Sequence, residues 1–370
     1  MKTRAGKTLG RAIPAIVCLA LGTMGPGLAA SDQKAMIVTF DVPGVGTGVG
    51  QGTYPQDNNP EGAIAGYWVD ANTVYHGFVR YPDGSITPFD APGAGTIATT
   101  GSIGYGISSH GTIVGGYEDN NLVYHGGFRT SGGDFTEFDV PGAGTEANQG
   151  TNSIALNPAG TIAGFYQDSN NVYHGFVRGS RGAIVSFDAP GAGTAPYQGT
   201  FVDTGADINS AGAIAGDYAD AGYLYHGFLR DPGGAITTFD PPNSNGTTAF
   251  GINPAGAIVG RYVDINNLYH GYLRSPHGGF TSIDAPGAGT GEWSGTAAWD
   301  INSDGVVTGY YQDADGAYHG FLRDPAGSFV TFDAPGDAQG TFPVTINEAG
   351  EITGYYVDAN GVSHGFMRIP

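Results

Sequence analysis

"AMIVTFDVPG", residues 35–44, reads as a short strand that ends in a Pro-Gly turn, and its Phe-Asp pair recurs along the chain. Phe-Asp or Ile-Asp, followed by Val, Ala or Pro and then Pro, begins at Phe40, Phe89, Phe138, Phe187, Phe239, Ile283 and Phe332. A His-Gly unit recurs equally often, with its histidines at His76, His125, His174, His226, His270, His319 and His364. Eleven residues separate Asn59, Ser108, Asn157, Asn209, Asn253, Asn302 and Asn347 from Asp70, Asp119, Asp168, Asp220, Asp264, Asp313 and Asp358. Ten more reach Arg80, Arg129, Arg178, Arg230, Arg274, Arg323 and Arg368, and nine lead from each arginine but the last to the next Phe-Asp or Ile-Asp pair. Only the stretch between that pair and the Asn position varies, from 14 to 22 residues. Such self-similarity is the signature of a repeat architecture.

Gly, Pro, Asn and β-branched residues punctuate the unit too often for helices, whereas short strands fit. "INPAG" suits a type I turn, with Asn at its first position, Pro at its second and Gly at its fourth. "GAIAGYWVD" and "VYHGFVRY" read as strands joined by a four-residue "ANTV" loop. A further strand ends in "FDAP", where Pro-Gly suits a type II turn, and a short strand precedes each Asn. The expected fold is all-β: a seven-bladed β-propeller of four-stranded blades. Because the chain opens on the last strand of a unit and closes on "GVSHGFMRIP", the third, the N-terminal strand is expected to complete the C-terminal blade. That pairing closes the ring and leaves no open sheet edge. In the hairpin around Asp70, regular pairing across the four-residue loop places Tyr67 opposite Phe78 and Ala65 opposite Arg80. Gly66 and Gly77 would then be hollows for a neighbouring blade's rings.

Residues 1–30 read as a signal peptide, with Lys2, Arg4, Lys7 and Arg11 ahead of an apolar run broken by Gly22, Gly25, Pro26 and Gly27. The run is too short to stay in a membrane. Residues 36–370 form the single propeller domain. Removing the signal takes away four bases and no acids, so the net charge moves from −20 to about −24, and the one cysteine, Cys18, leaves too. Disulfides and thiolate chemistry are thereby excluded from the mature chain. The acidic balance argues against nucleic acid and leaves cations and neutral glycans as partners. A secreted monomer, extracellular or periplasmic, is expected.

A histidine present in every unit solves a problem that every unit has, whereas an active site needs one asymmetric constellation. His76 and its equivalents are therefore read as structural, bonded within their units together with the repeated Asp and Arg. No resident cofactor is expected. "DADG" at 313–316 and "DANG" at 358–361 resemble fragments of calcium loops without the closing Glu, which leaves calcium as the one ion to consider.

"INPAGAIVGRYVDINNLYHGYLRSP", residues 252–276, and its sister stretches resemble the extracellular HAF-type repeat, Ile-Asn-x-x-Gly-x-x-x-Gly followed by a His-(Ala or Gly)-Phe strand. The resemblance spans residues 36–370. Gly here replaces the usual Ala after His, and "HGGFR" shifts Phe128 by one place. The resemblance implies secretion and carries no settled activity.

The Asp-rich loops and the variable connection are expected on one face, opposite the short Asn turns, and loops on a rigid frame are where recognition residues sit. The residues of that connection that break the symmetry are the ligand-binding candidates: Tyr54, Asp57, Tyr105, Tyr197, Asp203, Asp207, Glu292, Trp293, Trp299 and Asp300. Rings that stack on sugar CH faces beside carboxylates that accept hydroxyl protons suit a carbohydrate. The first reading is a binding or interaction module for an extracellular polysaccharide or cell-envelope component. The alternative is a propeller-type polysaccharide lyase or glycoside hydrolase. No nucleophile motif or phosphate loop supports catalysis.

Overall fold

The computed structural model describes residues 35–202, 205 and 207–370; residues 1–30, where a signal peptide is expected from sequence, and Asp203 lie outside them. The described residues form an all-β structure of repeated strand units, with 28 strands and no helix. The first unit shows the plan. Gly52–Asn58 pairs with Ile64–Val69, that strand with Tyr75–Arg80, and that one with Ile86–Phe89, all antiparallel. The same meander recurs from Gly101, Gly150, Gly199, Ser244 and Gly295. The last meander begins at Gly340, and its fourth strand is Met36–Phe40, which pairs with Ser363–Ile369 from Met36 opposite Ile369 to Phe40 opposite Gly365.

Register in the second hairpin differs from the sequence expectation by one residue. Tyr67 faces Gly77, Gly66 faces Phe78, Ala65 faces Val79 and Ile64 faces Arg80. The loop has three residues rather than four: Asp70 N donates to Val74 O at 3.0 Å, and Thr73, at φ 65°, supplies a left-handed residue. The Asn59 and Tyr81 turns have the same hydrogen-bonding pattern, with Gly62 and Gly84 at the left-handed position. Thr73, Leu122, Asn171, Tyr223 and Asn267 hold that position without the glycine that announces it.

The glycine hollows are consequently filled from within the unit. A Cβ on Gly77 would lie 2.3 Å from the Phe89 ring, on the adjacent strand of the same unit. The next unit is met by the other side of such rings. Phe40, Phe138, Phe187, Phe239 and Phe332 each stand edge-on to the buried Phe78, Phe176, Phe228, Tyr272 and Phe366 of the unit that follows. The repeated arginine joins the same interface and not an acid. Arg80, Arg129, Arg178, Arg230, Arg274 and Arg368 stack 4.7–5.2 Å from a ring centroid of the preceding unit. In "HGGFR", Arg129 keeps its place opposite Ile113, Gly127 stands where other units carry the buried ring, and the Phe135 ring lies over the space.

Asparagine side chains stitch the turns of successive units together. Asn157 Nδ2 donates to Asn209 O, Asn209 to Asn253 O, Asn253 to Asn302 O, Asn302 to Asn347 O, and Asn347 to Asn59 O, at 3.0–3.4 Å. Asn59 continues to Ser108 O at 3.0 Å. Ser108, lacking an amide, spends its hydroxyl on the Thr112 N–H. Replacing Ser108 with Asn should supply the missing donor and raise stability by about 1 kcal/mol, read as a higher denaturant midpoint at unchanged slope.

Candidate functional site: two cavities at the centre of the repeat

The seven histidines have near-identical surroundings. His76 lies 4.3 Å from the Trp68 ring, its Nδ1 is 2.9 Å from Asp90, and its Nε2 is 3.9 Å from Asp70. In the last unit the first of these acids is Asp41, from the N-terminal strand, 2.9 Å from His364 Nδ1. Asp70 itself accepts the Asn72 and Val74 N–H groups, and those bonds offset burial to hold its carboxyl below the usual range. These carboxylates make the turns. Among the described residues, one trio has metal-ligand spacing: His125, Glu137 and Asp139. Tyr117 donates to Glu137 at 2.6 Å and His125 pairs with Asp139 at 3.0 Å, so both acids are already engaged.

A central cavity of about 650 Å³ is lined by residues from all seven units. A register shift occurs in the first strand of six units, and in five of them it makes this lining. The shift inserts Gln56, Tyr105, Ile154, Trp299 and Val344 immediately before Asp57, Gly106, Ala155, Asp300 and Thr345, so that two successive residues line the cavity where regular alternation would bring one. Six of the ten sequence candidates meet here: Tyr54, Asp57, Tyr105, Asp207, Trp299 and Asp300. The aspartates face the central cavity, and they do so away from the loop face on which the sequence reading groups them. Asp57 and Asp300 stand next to last in the first strands Gly52–Asn58 and Gly295–Ile301, Asp207 precedes the Ile208 bridge, and all three share the lining with Asn59, Asn302 and Asn347, at the side of the short turns.

The polar groups around these carboxyls are few. Asp57 accepts the Ile107 N–H at 2.7 Å, Asp300 accepts those of Ile301 and Ile346 at 2.7 and 2.9 Å, and Asp207 accepts that of Ile208 at 2.6 Å. Thr345 Oγ1 lies 3.3 Å from Asp57 and 3.0 Å from Asp300. One hydroxyl has one proton to donate, so two ionised carboxylates would leave one contact repulsive. Burial, opposed by the Ile107 N–H and reinforced by the charge of Asp300, pushes Asp57 up to about 7. Burial raises Asp300 and carries Asp207 well above the carboxylate range. Among the described residues, no Lys, Arg or His lines this cavity.

The second cavity, about 470 Å³, lies among the Asp-rich loops and the variable connection. Tyr223 and Trp293 are each 54% exposed and Tyr225 42% exposed at its wall. Trp293 holds φ 62°, a left-handed backbone that costs a bulky residue about 1–2 kcal/mol. Its N–H donates to Asn267 O at 2.7 Å, the bond that Asn148 makes to Leu122 O with a residue better suited to that backbone. Trp299 lines both cavities. Tyr197, 60% exposed at φ 65°, and Glu292, which accepts Asn267 Nδ2 at 3.4 Å, lie among the loops outside both linings. Tyr223, Tyr225, Asp217 and Arg261 were missed because they sit at positions counted as part of the repeat. Reading each position across the units exposes Asp217 and Arg261: the series is Tyr67, Gly116, Phe165, Asp217, Arg261, Tyr310, Tyr355.

This architecture belongs to the β-propeller class. No family model and no curated protein matches the chain. Among solved structures, it is similar to a streptogramin B lyase, at 16% identity over 90% of this chain and 97% of that one, TM-score 0.56. A virginiamycin B lyase from Staphylococcus aureus matches at 16% identity over 91% of this chain and 100% of that one, TM-score 0.56. A mutant puromycin hydrolase matches at 13% identity over 82% of this chain and 50% of that one, TM-score 0.52. At these identities the likeness is one of fold.

Proposed function

We propose that the chain closes as a seven-bladed propeller and serves as a secreted binding module for an extracellular polysaccharide or cell-envelope glycan, held at the loop-side cavity. Closure is supported by the pairing of Met36–Phe40 with Ser363–Ile369 and by the Asn347 bond to Asn59. The observation that carries the binding role is Trp293, exposed at a strained backbone beside Tyr223 and Tyr225 around one concavity. An exposed ring kept at such a position fits a stacking platform for sugar faces.

Trp293→Asn takes the ring away and installs a residue at ease with that backbone. Retention on immobilised glycans should fall about fivefold to tenfold while the melting temperature holds or rises. His174→Ala should do the reverse, lowering the melting temperature and sparing retention. Retention untouched in the Trp293 variant and lost with His174 would overturn the assignment.

A second reading rests on the three carboxyls of the central cavity. Asp57 and Asp300, two carboxyls that share the Thr345 hydroxyl at 3.3 and 3.0 Å, would suit the acid and base of a glycosidase. Reducing-sugar release by the wild type that disappears in Asp57→Asn would favour it.

A further inference from the structure

Resting on the glycan reading, we propose that Arg261 makes the loop-side cavity a site for a carboxylate-bearing sugar, a uronic acid. Apart from the seven repeated arginines, only Lys34, Arg181 and Arg261 are basic in residues 31–370. Among the described residues, Arg261 is the one basic residue lining either cavity. It stands in the middle strand Ile258–Asp264, at the position where three other units carry Tyr67, Tyr310 and Tyr355.

Lining a cavity is what sets it apart from the repeated arginines, of which Arg178 and Arg368 likewise stack on a ring with no hydrogen bond or ion pair among the described residues. Arg80, Arg129, Arg230, Arg274 and Arg323 each donate Nη1 to the next residue's carbonyl. Arg261 is half-buried with its guanidinium carbon 4.6 Å from the Tyr269 ring centroid. Among the described residues it has no hydrogen-bond acceptor and no ion pair. Stacking fixes the plane of the guanidinium and leaves its N–H donors for a ligand. A planar fork matches a carboxylate through two parallel bonds, whereas the flanking Tyr223, Tyr225 and Trp293 rings suit the pyranose faces. In so acidic a chain, a cation among rings at a cavity whose wall also carries the buried Asp217 supplies the positive charge that the rest of the surface lacks.

The test compares an oligogalacturonate with its methyl ester, which keeps the sugar backbone and removes the charge. Wild-type protein should bind the acid roughly 10- to 100-fold more tightly than the ester. Arg261→Tyr should abolish that preference while keeping the weaker binding of the ester, and Arg261→Lys should restore part of it. Equal affinity of the wild type for acid and ester would overturn the uronate assignment and leave the glycan reading standing. A preference for a sulfated glycan over the uronate would overturn the assignment too. Binding to neither acid nor ester, nor to any neutral glycan, would overturn both. The wild-type comparison needs no variant to fold.

Discussion

Deleting Ala35–Phe40 should leave a chain that no longer folds as a soluble monomer, although it removes only one short strand. That strand covers the edge of Ser363–Ile369 along five paired residues. Phe40 meets Phe78 at 6.3 Å and carries the Arg80 guanidinium at 4.9 Å, and Asp41 just beyond it pairs with His364. Losing one such ring costs about 3 kcal/mol or more. An uncovered strand edge also invites pairing between chains. Size-exclusion chromatography and a urea melt of chains starting at Ala35 and at Asp41 make the comparison. A monomer starting at Asp41 that melts within a degree or two of the longer one would show that the pairing does not hold the fold together.

Stability should fall as pH rises from about 5 to 8, the reverse of ordinary acid denaturation. A buried carboxyl whose folded-state pKa lies above its unfolded value binds its proton more tightly when folded. Stability is then lost as pH climbs from the unfolded pKa towards the folded one. For Asp57 the window runs from about 4 to about 7. Burial and the charge of Asp119 push Glu118 up to about 7 as well. On the acid side, Asp70, Asp168 and their equivalents have lowered pKa values, so their contribution is lost as pH drops below about 4. A stability maximum near pH 4–5 follows. Asp57→Asn removes a cost on the order of 2–3 kcal/mol at pH 8, raising the melting temperature by roughly 4–8 °C there and by little at pH 5. A variant that melts lower than wild type at both pH values would mean that the carboxylate is ionised and stabilising.

The strand plan was legible because its punctuation is chemical: Asn-Pro-x-Gly and Pro-Gly mark turns wherever they stand. Register across the Asp70 loop was not. Its left-handed residue is Thr73, and a loop without glycine gives no count of its own length. The candidates Asp57, Asp207 and Asp300 were legible as departures from the repeat just before the strand-one Ile position and as residues facing the channel, but they were grouped with the loop face although they precede a short turn and not a long connection. The strand irregularity that brings Tyr105 and Trp299 to the central cavity leaves no residue signature, since Gln56, Ile154 and Val344 occupy it equally well. Arg261 was legible in principle, hidden in a strand that resembles its sisters.

Because Met36 sits across from Ile369, the first and last described strands are neighbours, and the order of the units along the chain is one of several that the same pairing would accept. A short tether joining them would let the reading frame begin at any of the variable connections. Recombination between units could therefore add, drop or reorder binding surfaces while the backbone plan survives.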